Sequence, residues 1–123
     1  MYIDLHPEIT QALLKNAALV SLLGGDHIYP MVSPDESIPS YITYQEITNF
    51  PNQFANDQAL SSGIHFQFDI WTPYNTGPIA KEVDRTMEEL IFVRTSSVDG
   101  YDNDSTPKRF RKILRYKSIK YGG

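Results

Sequence analysis

Ile64-His65-Phe66-Gln67-Phe68-Asp69-Ile70-Trp71-Thr72 alternates apolar and polar residues with the period of a β-strand. Ile64, Phe66, Phe68 and Ile70 point one way; His65, Gln67 and Asp69 point the other. Burying the four apolar side chains is worth roughly 1.5–3 kcal/mol each. One face of the sheet that holds this strand must therefore be covered, and helices on either side of it in sequence are the available cover.

Upstream, the spacing predicts a helix over residues 7–23. Pro7 fits its first turn, and Ile9, Leu13, Ala17 and Val20 recur at three- and four-residue steps, with Leu14 and Leu23 beside them. Gly24-Gly25 ends it, because glycine accepts the left-handed conformation that follows a helix. Residues 26–40 read as a connector whose Pro30, Pro34 and Pro39 rule out a helix and a central strand, with Ile28 and Tyr29 packing on the core. A first strand is expected over 40–47, rich in aromatic and β-branched residues. Downstream, a second helix is expected over 77–92. Asn75 or Thr76 caps it, and Ile79, Val83, Met87, Leu90 and Ile91 form its stripe. A short strand over 92–98, a turn-rich loop over 99–107 and a last strand over 108–121 complete the chain. That last strand has two mixed faces; the side with Phe110, Leu114 and Tyr116 is expected to be core, with Lys112 reaching out along its stem. The predicted order is α-β-β-α-β-β. It makes one α+β domain over residues 1–123, two helices packed on a mainly antiparallel sheet.

The composition narrows the chemistry. There is no cysteine, which removes disulfides, thiolate metal sites and cysteine nucleophiles. No apolar run is long enough to span a membrane, the first residues lack a basic leader, and a cytosolic location is expected. His6, His27 and His65 form no metal-binding pair at helical spacing. His65 beside Gln67 and Asp69 is a weak candidate for a His/Asp site, and Asp99, Asp102 and Asp104 lack the spacing of a calcium loop. Phosphate-loop and nucleophile-elbow patterns are missing as well. The residues thus give an enzyme reading no support, and no cofactor is expected.

Binding surface is the remaining theme. Residues 108–123 hold seven of the eleven Lys and Arg and no acid, while residues 1–107 carry all fifteen acids against four bases. The tail of the sequence is therefore +7 and the rest −11. Arg109, Arg111, Arg115 and Lys117 are candidate contacts for an acidic partner or a phosphate backbone. The alternative is that these cations pair across the sheet with Glu46, Asp69 or other acids, or blunt a sheet edge. In the long polar stretch 49–63, Phe50, Phe54 and Leu60 either fold back on the domain or anchor a neighbouring subunit.

The chain resembles the tail completion proteins of long-tailed phages and prophages, which are similar to tail terminators. The resemblance covers nearly the whole length. It is carried by the helix ending at Gly24-Gly25, by Asp26-His27-Ile28-Tyr29-Pro30 and by Ile38-Pro39-Ser40-Tyr41-Ile42-Thr43-Tyr44. The strand Phe66-Gln67-Phe68-Asp69-Ile70-Trp71-Thr72, the second helix and the closing strand from Arg109-Phe110-Arg111 complete it. It implies a structural protein with no active site, assembled as a hexameric ring at the head-proximal end of the tail and a monomer when free. Its implied partners are the tail tube protein and the head–tail connector or neck proteins, with contact to passing DNA. Its implied location is the virion tail, and the host cytoplasm during assembly. A head completion or neck protein, and a small nucleic-acid-binding module, are the alternatives.

Overall fold

In the computed structural model, residues 4–32, 37–48, 64–102 and 108–118 are described. The chain forms α1 (His6–Lys15), α2 (Ala17–Leu23), β1 (Ile28–Pro30), β2 (Tyr41–Thr48), β3 (His65–Thr72), α3 (Gly77–Glu89), β4 (Phe92–Asp102) and β5 (Arg109–Ser118). The five strands make one sheet in the order β1-β2-β3-β5-β4. β1 runs parallel to β2, and every other pairing is antiparallel. The α+β class holds, with an extra helix and an extra strand.

The extra helix arises at Asn16, where the expected single helix breaks. Its backbone is extended (φ −80°, ψ 96°), and its side-chain oxygen accepts the Leu19 N–H at 3.1 Å. Its amide donates to Glu82 O at 3.3 Å, Glu82 Oε1 at 3.2 Å and Thr86 Oγ1 at 3.0 Å. One asparagine thus caps α2 and ties it to α3. The break also turns the apolar stripe, so that Leu19 is buried where Val20 was expected, and Leu14 is exposed. Gly24 closes α2 in the left-handed conformation, φ 78°.

The extra strand lies in the proline-rich connector. β1 pairs along one side only, so Pro30 sits at a sheet edge where its missing N–H is tolerated. Ile28 is buried as expected. β4 is longer than predicted because residues 99–102, expected in a loop, pair with 109–112 of β5. α3 is shorter than predicted, ending at Glu89 with Leu90 as its C-cap, and Ile91 takes a positive φ of 63°. Asn75 caps it by accepting the Gly77 N–H at 2.9 Å, while the Thr76 side chain makes no capping bond.

One face of the sheet packs under the helices. Ile42, Tyr44, Phe66, Phe68, Ile70, Leu114 and Tyr116 from the strands meet Ile9, Leu13, Leu19, Ile79, Val83 and Met87 from the helices, all nearly or fully buried. Tyr44 stacks on Phe68 at 5.5 Å, and Tyr116 meets Phe68 edge-on at 5.6 Å. Both tyrosine hydroxyls reach partners: Tyr44 contacts Thr10 Oγ1 and donates to His6 O, and Tyr116 donates to Asp84 Oδ1 at 2.9 Å. Burial raises both phenols from the ordinary tyrosine value, and at Tyr116 the bond to Asp84 adds to the effect. Leu114 and Tyr116 lie on the core side as predicted. Phe110 shares their parity but stands opposite Thr72, where β3 ends, and is 47% exposed.

Candidate docking surface

Among the described residues, no helix packs on the second face of the sheet. Three strands supply it with chemistry. β3 contributes His65, Gln67, Asp69 and Trp71; β5 contributes Arg109, Arg111, Ile113, Arg115 and Lys117; β2 contributes Tyr41 and Thr43. The register sets Trp71 opposite Tyr41 and Arg111, Asp69 opposite Thr43 and Ile113, and Gln67 opposite Arg115. β5 is therefore an interior strand between β3 and β4, not the edge that its charge suggested.

The cations of β5 have different fates. Arg109 is 2% exposed, which corrects its expected place in a surface contact. Its guanidinium donates to Pro39 O at 3.0 Å and Ile38 O at 2.8 Å and lies 5.1 Å from the Tyr41 ring centre. It clasps the end of the connector to the sheet. Arg111 donates to Asp69 Oδ2 at 2.6 Å, and its guanidinium sits 4.7 Å from the Trp71 ring centre. Trp71 in turn stacks on Tyr41 at 6.0 Å. Arg115 donates to Gln67 Oε1 at 3.0 Å and remains exposed. Lys117 lies opposite His65 and is half-buried. Partial burial and then the neighbouring Lys117 charge push the His65 pKa below the ordinary histidine value.

Cross-strand pairing to Asp69, one of the two readings of the basic strand, thus accounts for Arg111. Arg115 and Lys117 stay on the open face. Asp69 spends its carboxylate on Arg111 and Gln67, so a His65–Asp69 dyad is not assembled. Lys112 projects on the other side and pairs with Asp99 at 2.8 Å, which places Asp99 in a ladder and not in a metal loop. Among the described residues, no group of three His, Cys, Asp or Glu is placed to hold a metal. Phe50, Phe54 and Leu60 lie outside the described residues.

A further apolar feature escaped the sequence reading. Tyr101 and Phe110 pair across β4 and β5 at 5.2 Å, both about half exposed. Phe110 lines a cleft of about 550 Å³ together with Tyr74, Gly100 and Arg111. The signal was present in the turn-rich 99–107 segment, but its glycine and aspartates masked the strand pairing that presents Tyr101.

The described surface is one of stacked rings, guanidinium groups and exposed aliphatic side chains on one sheet face. This composition suits docking to another macromolecule better than holding a small substrate. No curated protein matches the chain. A chain in a structure titled "Virion of native gene transfer agent (GTA) particle" has the same fold. It is 12% identical, with 89% of this chain and 90% of that chain covered at a TM-score of 0.53. The family model described as tail completion protein gp17 matches residues 7–118. The chain belongs to that family, and its role is structural, in the tail of a virion.

Proposed function

We propose that this protein completes the tail at its head-proximal end and joins it to the head connector, acting there as a hexameric ring. The observation that carries the proposal is the two-layer architecture itself: helices cover one sheet face, and Trp71, Ile113, Arg115 and Lys117 are left on the other. A ring at a tail end needs separate surfaces for its neighbours, for the tube and for the neck. In this reading Arg111, Arg115 and Lys117 serve contacts with those proteins, and Arg109 supports them from inside. Phe50, Phe54 and Leu60 belong to the contact with the tube or the adjacent protomer.

Segregated charge orients such docking, since like faces repel and unlike faces attract, and salt weakens both effects. The partners are then the tail tube protein and the neck proteins, met in the host cytoplasm during assembly. Binding of the purified protein to headless tails but not to tailless heads is the expected result. Binding to heads alone favours a head completion protein. Retention on duplex DNA with a steep salt slope favours a nucleic-acid-binding module.

A further inference from the structure

The two edges of the sheet differ in how well they are guarded. β1 has three residues and ends at Pro30, so it offers little backbone for another strand to pair with. β4 has eleven residues, and among the described residues it pairs only with β5. It contains no proline and no lysine, two residues that commonly protect an edge. A bulge at Thr95 interrupts it and leaves residues 96–102 as a regular run about 24 Å long. Val98 and Tyr101 on that run are exposed.

Gly100 lies inside this run. A glycine weakens a strand interior, and it often marks a place where another backbone or a ligand comes close. Its conformation does not demand glycine: among the described residues, the glycines with positive φ are Gly24 and Gly25. Packing does not demand it either, since an added Cβ would meet only Arg111, at 3.7 Å and beyond. Gly100 also lines the cleft of about 550 Å³ that Phe110 and Tyr74 border. That volume falls within the roughly 300–1,000 Å³ of sites that hold a ligand group.

We infer that the free edge of β4 over residues 96–102 accepts an added strand from a partner protein, with a large apolar side chain of that strand set in the cleft beside Gly100. The tail reading above supplies only the source of the strand, the tail end. An edge selects its occupant by chemistry: its backbone offers both N–H donors and C=O acceptors, and an extended polypeptide satisfies both. Nucleic acid accepts at its phosphates but brings no matching row of donors, and β4 has only Arg94 against Asp99 and Asp102 to attract it. A second copy adding its own β4 would bury on the order of 250 Å² per copy along a run of about 24 Å by 10 Å, far below a stable dimer. A partner strand adds to that area by filling the cleft, and an edge glycine is where a bulky side chain of the next strand can lie across the backbone.

In the test, the full-length protein is bound to purified headless tails and its amide exchange is followed by mass spectrometry. Exchange over residues 96–102 should slow at least about tenfold on binding, while residues 28–30 at the other edge exchange as before. Gly100→Val should keep or raise the urea midpoint of the free protein and weaken tail binding at least about tenfold. Phe110→Ala, which removes an apolar wall of the cleft, should weaken binding as well. Bound protein with unchanged exchange over 96–102, full binding by Gly100→Val, or a lowered midpoint in that variant overturns the inference. So does a free dimer in sedimentation with 96–102 already protected, because a second copy would then be the occupant. Protection of 96–102 on tailless heads instead of tails defeats the tail reading alone. Binding to neither particle defeats both.

Discussion

Arg109 shows how far one residue's role departs from its charge. A guanidinium with 2% exposure is held by two backbone carbonyls and lies over a tyrosine ring. Replacing it with methionine keeps the volume but leaves the Ile38 and Pro39 carbonyls without these donors. Arg109→Met is expected to cost about 2–3 kcal/mol in urea unfolding, whereas Arg115→Ala, at an exposed position, stays within about 0.5 kcal/mol. His65 supplies a pH test. Its folded pKa lies below the unfolded 6.5, so on acidification the unfolded chain binds this proton first. Its contribution to stability is therefore constant well above 6.5 and declines as pH falls from 6.5 towards the folded value. Lys117→Gln should raise the His65 titration midpoint, observed by NMR, but not restore it fully, because burial is the larger cause. Of these residue roles, the alternation of β3 disclosed which side chains share the open face. It did not disclose that Arg109 is covered, because the covering carbonyls are about seventy positions away.

At the scale of elements, local signals and tertiary contacts divide the work. Gly24 ends α2 with φ 78°, and a Cβ there would meet nothing within 4 Å. Gly24→Ala therefore costs conformational strain alone, about 1–2 kcal/mol by chemical denaturation, with no steric addition. Asn16→Ala removes a cap and the bonds to Glu82 and Thr86. It is expected to lower stability by about 1–2 kcal/mol and loosen the contact between α2 and α3, seen as faster amide exchange in α2. The helix ends at Gly24 and Asn75 were readable because caps depend on neighbouring residues. The break at Asn16 was not, because an asparagine in a helical pattern signals a break only when a partner such as α3 takes up its amide. The extension of β4 was hidden for a similar reason: Asp99-Gly100-Tyr101-Asp102 reads as a turn until β5 pairs with it.

For the whole molecule, one face of the sheet carries the core, and the proposed function gives assembly to the other. A core truncation such as Leu114→Ala should cost about 2–5 kcal/mol and lower the amount of folded protein. Reversing Arg115 and Lys117 to glutamate should leave the urea midpoint nearly unchanged while reducing joining of tails to heads, measured as infectious or DNA-filled particles. Unchanged joining would count against a contact role for this face. By itself, the sequence determined the α+β class, the amphipathic β3 and α3, the glycine stop of α2 and the concentration of cations in β5, all of which follow from residue types and short-range spacing. Tertiary structure alone decided that β5 runs inside the sheet, that Arg109 is buried and that Arg111 is neutralised by Asp69. Strand order is set by which apolar faces pack together across the fold, and that long-range choice determines which charges remain on the surface.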